Sequence, residues 1–141
     1  MLLYYFADKN DLIAAALEAI GTRFAAALME TGGLGADRRP SSADLARILR
    51  AETMQPFFRL WLELVTRAAR GDAFYAAVGG RMADGFVAWV AGLMSVGRAE
   101  AVRTIAMLDG FILLDMVGRG FLVDKALDPF VQEIRSELRS P

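Results

Sequence analysis

Apolar side chains recur at three- and four-residue steps along almost the whole chain, which is the spacing of one face of an α-helix. No alternation of polar and apolar residues lasts long enough to predict a strand. We therefore predict an all-α fold, a bundle of about six helices in one domain. The predicted helices span about Lys9–Met29, a short segment after Ser41 or Ser42, Phe57–Arg70, Phe74–Met94, Ala99–Val117 and a last segment that starts at Asp128 and Pro129.

Local signals mark several of the helix ends. Asp8 is placed to cap the first helix, and Ser41 or Ser42 the second. Pro56 suits either the first turn of the third helix or a kink inside a longer one. The pair Gly79-Gly80 leaves two possible starts for the fourth helix, one before the glycines and one after them.

Two polar features stand out on these apolar helices. The charged residues of the third helix fall on one narrow stripe, which predicts a solvated face. Asp109 interrupts an apolar stripe of the fifth helix, where a carboxylate needs a partner because leaving it bare costs several kcal/mol. It could bind a cationic or hydroxylated ligand, or pair with Arg103 or with a partner subunit; we favour the structural pairing. The charged stripe consists of Arg59, Glu63, Arg67 and Arg70.

Composition narrows the chemistry. The 141 residues include no cysteine and no histidine, so a thiol nucleophile, an imidazole base and the usual zinc sites are excluded. No pair of carboxylates has obvious acid–base spacing, and we predict that the chain is not an enzyme and uses no metal or other cofactor. The formal net charge of −1 argues against a chain that wraps nucleic acid by itself.

The hydrophobic fraction of 55% exceeds the roughly 45–50% of ordinary domains. We find no uninterrupted apolar window of the length of a membrane span, and the first residues lack the basic start of a signal peptide. We therefore predict no membrane association and a cytoplasmic location. The apolar excess predicts an oligomer interface, an internal cavity, or both.

The start of the chain resembles a known family. The string Leu3–Leu12 is similar to the end of the DNA-binding head in the tetracycline-repressor (TetR) family, where an aromatic cluster closes the recognition helix and Phe-x-x-Lys-x-x-Leu opens the fourth helix. Phe6, Lys9 and Leu12 have that spacing. The remaining chain resembles the regulatory domain of the family, including an Asp109-Gly110 pair in a late helix.

The resemblance implies a transcription regulator whose helix-turn-helix head is mostly absent from this chain. Residues 1–8 would be the remnant of the head, and residues 9–141 the ligand-binding and dimerisation domain. Tyr5 and Lys9 match family positions that contact DNA phosphates. Operator DNA would be bound only through the missing head, because phosphate contacts position a protein without reading bases.

The resemblance also implies a pocket for a small apolar effector between the middle helices. Aromatic and methionine side chains suit such a ligand, although each of them could equally be ordinary core. The predicted pocket residues are Phe58, Trp61, Leu62, Val65, Met82, Phe86, Trp89, Met107, Asp109 and Phe111.

A homodimer is the predicted assembly, because in the family the last two helices of two subunits form a four-helix bundle around a two-fold axis. Ala106 and Gly110 would allow close packing there. The alternative function is a head-less interaction module that captures full-length partners in inactive mixed dimers. The predicted interface residues are Ala106, Gly110, Ile112, Leu114, Phe130, Ile134 and Leu138.

Overall fold

The computed structural model describes residues 7–32 and 39–128, and every regular element in these ranges is helical. The all-α prediction is confirmed, with six α-helices and no strand among the described residues. The elements are α1 (Lys9–Gly32), α2 (Ser42–Leu49), a 3₁₀ turn (Glu52–Met54), α3 (Gln55–Ala69), α4 (Ala73–Met94), α5 (Arg98–Met116) and α6 (Gly120–Leu127).

Side-chain caps start the helices where the sequence predicts them. Ser41 caps α2 in a reciprocal box: its Oγ accepts from the backbone N–H of Asp44, whose carboxylate accepts from the Ser41 N–H at 2.9 Å. The Asp8 carboxylate accepts from the N–H of Asp11 at 3.0 Å. Asp72 caps α4, and Pro56 lies in the first turn of α3 rather than at a kink.

The structure agrees with the earlier of the two predicted starts of α4 and contains one helix that was not predicted. Helix α4 runs unbroken through Gly79-Gly80, and a Cβ at Gly79 would lie 2.5 Å from Cδ2 of Leu64, so this glycine lets α3 and α4 approach closely. Helix α6 was not predicted at all, because it has only eight residues and no side-chain cap at its start, two residues after Gly118, whose φ is +72°. The helix predicted from Asp128 onwards lies outside the described residues.

Helix α4 forms the centre of the bundle. It packs against α3 on one side and α5 on the other, while α1 crosses α2 and α4. Helix α5 also contacts α2 and α6. Thr104 is the one buried polar side chain in the described part of the chain. The largest cluster of buried residues joins α1, α2, α3, α5, α6 and the 3₁₀ turn through Leu28, Leu45, Ala46, Leu49, Met54, Phe58, Leu108, Ile112, Val123 and Leu127.

One helix of the described chain is long and apolar enough to cross a membrane, namely Lys9–Glu30 within α1. The helices Ala73–Met94 and Arg98–Met116, taken together, also meet this criterion of length and apolar composition, but they are bent by 108° at the break between them. The sequence predicted helix α1 but not its possible length as a membrane span, because its apolar run is interrupted. Core helices of globular proteins and signal sequences meet the same criterion, so the absence of membrane association stays a prediction.

Candidate functional site: an apolar cavity between α1, α3, α4 and α5

A cavity of about 380 Å³, partly open to solvent, lies between four helices of the bundle. This volume is within the range of ligand pockets, about 300–1,000 Å³. Six of the ten predicted pocket residues line it: Phe58, Trp61, Met82, Phe86, Trp89 and Asp109. The other lining residues are Leu17, Ile20, Gly21, Phe24, Ala25, Phe57, Leu60, Leu64, Ala83, Gly85, Val87 and Ile105.

Four residues predicted for the pocket lie elsewhere, and their assignment is corrected. On α5, Met107 is exposed and Phe111 packs against the largest core cluster. Each is two residues from Asp109, which places it about 200° around the helix from the cavity side. On α3, Leu62 and Val65 do not line the cavity, and Val65 is exposed.

Helix α1 supplies a cavity wall that the sequence analysis missed. Five of its residues contribute, from Leu17 to Ala25. The available signal was the stripe Leu17, Ile20 and Phe24 together with Gly21, whose missing side chain leaves open space. That spacing predicts an inward face but does not say whether the face meets other side chains or a cavity.

Contacts between aromatic rings form one side of the cavity. Phe24 of α1 meets Phe57, Phe58 and Phe86 edge to face, with ring centroids 5.3, 5.8 and 5.6 Å apart. Phe86 and Trp89 are stacked at 5.6 Å with an interplanar angle of 14°. Such pairs add about 0.5–1.5 kcal/mol beyond their buried area, so these rings hold the cavity wall in a defined shape.

Among the described residues, Asp109 is the one charged residue in the lining. It makes no hydrogen bond or ion pair with any described residue, and burial raises the pKa of its carboxyl group above the usual range. Arg103 is not its partner, because the guanidinium of Arg103 bonds Glu100 one turn earlier, with Nη2 2.5 Å from Oε2. An otherwise apolar cavity therefore contains a single unpaired acid.

The predicted interface residues divide between two faces of α5. Ala106 is exposed, and Gly110 has nothing near the position of its absent Cβ. They lie on an exposed apolar stripe, defined here as Val102, Ala106, Gly110, Leu113 and Val117, which are four, four, three and four residues apart.

The other interface residues are corrected or undescribed. Ile112 is buried in the core of its own subunit and Leu114 packs against the same core, so neither lies on the exposed stripe. Phe130, Ile134 and Leu138 lie outside the described residues.

Of the two predicted phosphate contacts, Lys9 is the first residue of α1 and is exposed, whereas Tyr5 lies outside the described residues. No three acidic side chains in the described ranges are grouped as a metal site. Comparison of the chain with known protein families, with curated proteins and with solved structures finds no match.

Proposed function

We propose that the chain is the effector-binding and dimerisation domain of a TetR-like transcription regulator. The observation that supports this function best is the apolar cavity of about 380 Å³. Closely packed interiors contain few voids larger than a water molecule. A cavity of this size, with one charged group and a rigid aromatic wall, suits a small apolar ligand.

Helix α1 provides a route from the cavity to a DNA-binding head. Leu17, Gly21 and Phe24 form part of the cavity wall, and the same helix begins at Lys9, directly after the segment that resembles the end of the head. A ligand that prefers one position of α1 would shift the population of head arrangements. It must bind the two arrangements with different affinities, because equal affinity shifts nothing.

The exposed stripe of α5 supports self-association. Val117 is 68% exposed, and Phe121 of the adjacent α6 is 54% exposed. Burying these side chains against a second copy would remove them from water, and a two-fold dimer is the commonest way to do so. The same surface would also serve the alternative function, a head-less chain that sequesters full-length partners in mixed dimers.

Native mass spectrometry of the purified chain, with Gly21→Leu and Gly80→Leu variants, tests the ligand site. We expect a dimer with a small-molecule adduct that is lost on denaturation. Both glycines lie inside helices with no atom within 4 Å of an added Cβ, but only Gly21 lines the cavity. Gly21→Leu should therefore remove the adduct by filling the cavity, while Gly80→Leu should keep it.

Calorimetric titration with 3,3-diphenylpropan-1-ol, a neutral apolar probe, covers the case in which no ligand co-purifies. Wild type and Gly80→Leu should bind this probe, and Gly21→Leu should bind it at least tenfold more weakly. Equal behaviour of the two variants, or no binding to any of the three proteins, would count against a ligand-binding function.

A further inference from the structure

The carboxylate of Asp109 differs from the other acids of α5. Glu100 is bonded by Arg103, and Asp115 is held by two bonds from Arg50, at 2.6 and 2.9 Å. Asp109 has no such partner among the described residues and points at a cavity lined otherwise by apolar groups and glycine. A partly buried acid without a cation nearby is unusual, because its charge has lost water and gained nothing in return.

We propose that the ligand of this cavity is an organic cation with an aromatic, apolar body, whose charged nitrogen lies against the Asp109 carboxylate. This inference rests on the proposed ligand-binding function and narrows its ligand to one chemical class. The recognising chemistry is a single negative charge at one side of an aromatic pocket.

Charge decides between the possible ligand classes. A cation would supply the opposite charge that Asp109 lacks, in a cavity where attraction between charges is stronger than in water. An apolar anion would place two negative charges together without a neighbouring cation, because no arginine or lysine among the described residues lines the cavity. A neutral alcohol could donate one hydrogen bond but would leave the carboxylate charge uncompensated.

The wall fits the rest of such a ligand. The stacked Phe86 and Trp89 and the nearby Trp61 provide aromatic faces, which attract both flat apolar rings and positively charged nitrogen. Met82 adds an unbranched, adaptable side chain. Burial raises the pKa of the Asp109 carboxyl, and a bound cation would favour its ionised form again.

Three probes that share one body and differ in headgroup test this inference: 3,3-diphenylpropylamine, 3,3-diphenylpropan-1-ol and 3,3-diphenylpropanoate. Affinities are measured by isothermal titration calorimetry at pH 7 on the full chain. We expect the amine to bind about tenfold or more tighter than the alcohol, since a charge-assisted bond is stronger than a neutral one. The carboxylate should bind most weakly.

Two variants distinguish the effect of the Asp109 charge on ligand binding from the effect of the net charge of the protein. Asp109→Asn should weaken the amine about tenfold and leave the alcohol within about twofold. Asp84→Asn is the matched control, because Asp84 is an exposed acid between the lining residues Ala83 and Gly85 but does not line the cavity itself. It should leave both affinities unchanged.

Equal affinity for amine and alcohol, or an Asp109→Asn variant that still binds the amine at full strength, would overturn the inference and leave the ligand-binding function standing. An adduct in native mass spectra that proves to be an anion or a neutral lipid would do the same. Failure of all three probes together with absence of any adduct would contradict both. An Asp109→Asn variant that changes the dimer but not the binding would assign Asp109 to the interface instead.

Discussion

At the scale of single residues, Asp109 makes stability depend on pH. Its folded-state pKa is raised by burial, so the folded chain holds the proton more tightly than the unfolded chain does. The favourable contribution is complete below the unfolded pKa of about 3.9 and is lost as pH rises through the folded pKa. At neutral pH the group therefore destabilises the unliganded fold.

We predict that Asp109→Asn raises the free energy of unfolding at pH 7 by about 1 kcal/mol, since it replaces a partly buried charge with a neutral amide, which costs less to remove from water. The gain should shrink as pH falls through the raised pKa of the Asp109 carboxyl group, because the folded wild type then takes up a proton and loses the charge. Urea denaturation at several pH values measures it. The exposed Asp84→Asn should show no comparable gain, and an Asp109→Asn variant less stable than wild type at pH 7 would mean that the charge has a partner.

The sequence singles out Asp109 because a charged residue interrupts an apolar stripe, and the structure places it at the cavity. Its lack of an ion-pair partner could not be predicted, because only the structure shows that Arg103, six residues earlier in the chain, bonds Glu100 instead. The spacing of apolar residues also did not show that Met107 and Phe111 lie away from the cavity. A helix that is apolar on several sides shows no preferred side, and only the packing of its neighbours reveals which one meets the cavity.

At the scale of helices, one arginine joins three elements. Arg50 follows the end of α2, and its guanidinium holds Asp115 of α5 through two bonds and Asp124 of α6 through a third, at 2.7 Å. The hydrogen bonds that Arg50 donates to the Asp115 carboxylate raise the pKa of Arg50 above its ordinary value. A Cβ at Gly120 would meet Asp115 Oδ1 at 2.5 Å, so the start of α6 leaves room for this pair.

We predict that Arg50→Ala lowers the free energy of unfolding by about 2 kcal/mol, because it leaves the mostly buried Asp115 without its partner. Arg50→Lys should recover only part of this loss, since an ammonium cannot form the two-pronged bond. Chemical denaturation of the variants measures the effect. Arg103→Ala, which removes an exposed pair with Glu100, should cost below ~0.5 kcal/mol. Equal losses for both arginines would contradict the special role of Arg50.

The eight-residue α2 could be predicted from its capping serine, whereas α6, which is equally short and has no side-chain cap, could not. Ser41 and Asp72 determine where helices start through bonds within three residues, so their effect is visible locally. Helix α6 has no side-chain cap and is held by Val123 and Leu127 in the core and by the bond from Arg50 to Asp124. These contacts join residues far apart in the chain, which periodicity does not show.

At the scale of the whole molecule, apolar residues beyond those of an ordinary core are found in two places. One is the cavity, and the other is the exposed stripe of α5 with its neighbours Phe121 and Leu122 on α6. The sequence predicted an internal cavity, an oligomer interface or both, and it identified part of the cavity lining. Ile112 was assigned to the interface because it is apolar and close to Gly110, yet it lies in the core.

We predict that Gly110→Leu dissociates the dimer without unfolding the subunit. Outside the backbone of α5 itself, no atom of the described residues lies within 4 Å of a Cβ at this position, so the added side chain would extend into open space on the side where we propose the partner. Replacing a helix glycine also favours the helix by about 0.5–1 kcal/mol. Light scattering after size-exclusion chromatography, with circular dichroism for the fold, measures both. Gly80→Leu is the control, and a Gly110→Leu dimer as tight as wild type would remove this stripe from the interface.

Both tryptophans of the chain, Trp61 and Trp89, line the cavity. Every photon emitted by an indole of this protein therefore comes from its wall, with no background from indoles elsewhere. A candidate compound that enters should change the intensity or wavelength of the emission without any attached dye. The tryptophan fluorescence of the unlabelled protein can therefore report ligand binding, and compound collections can be screened by this signal.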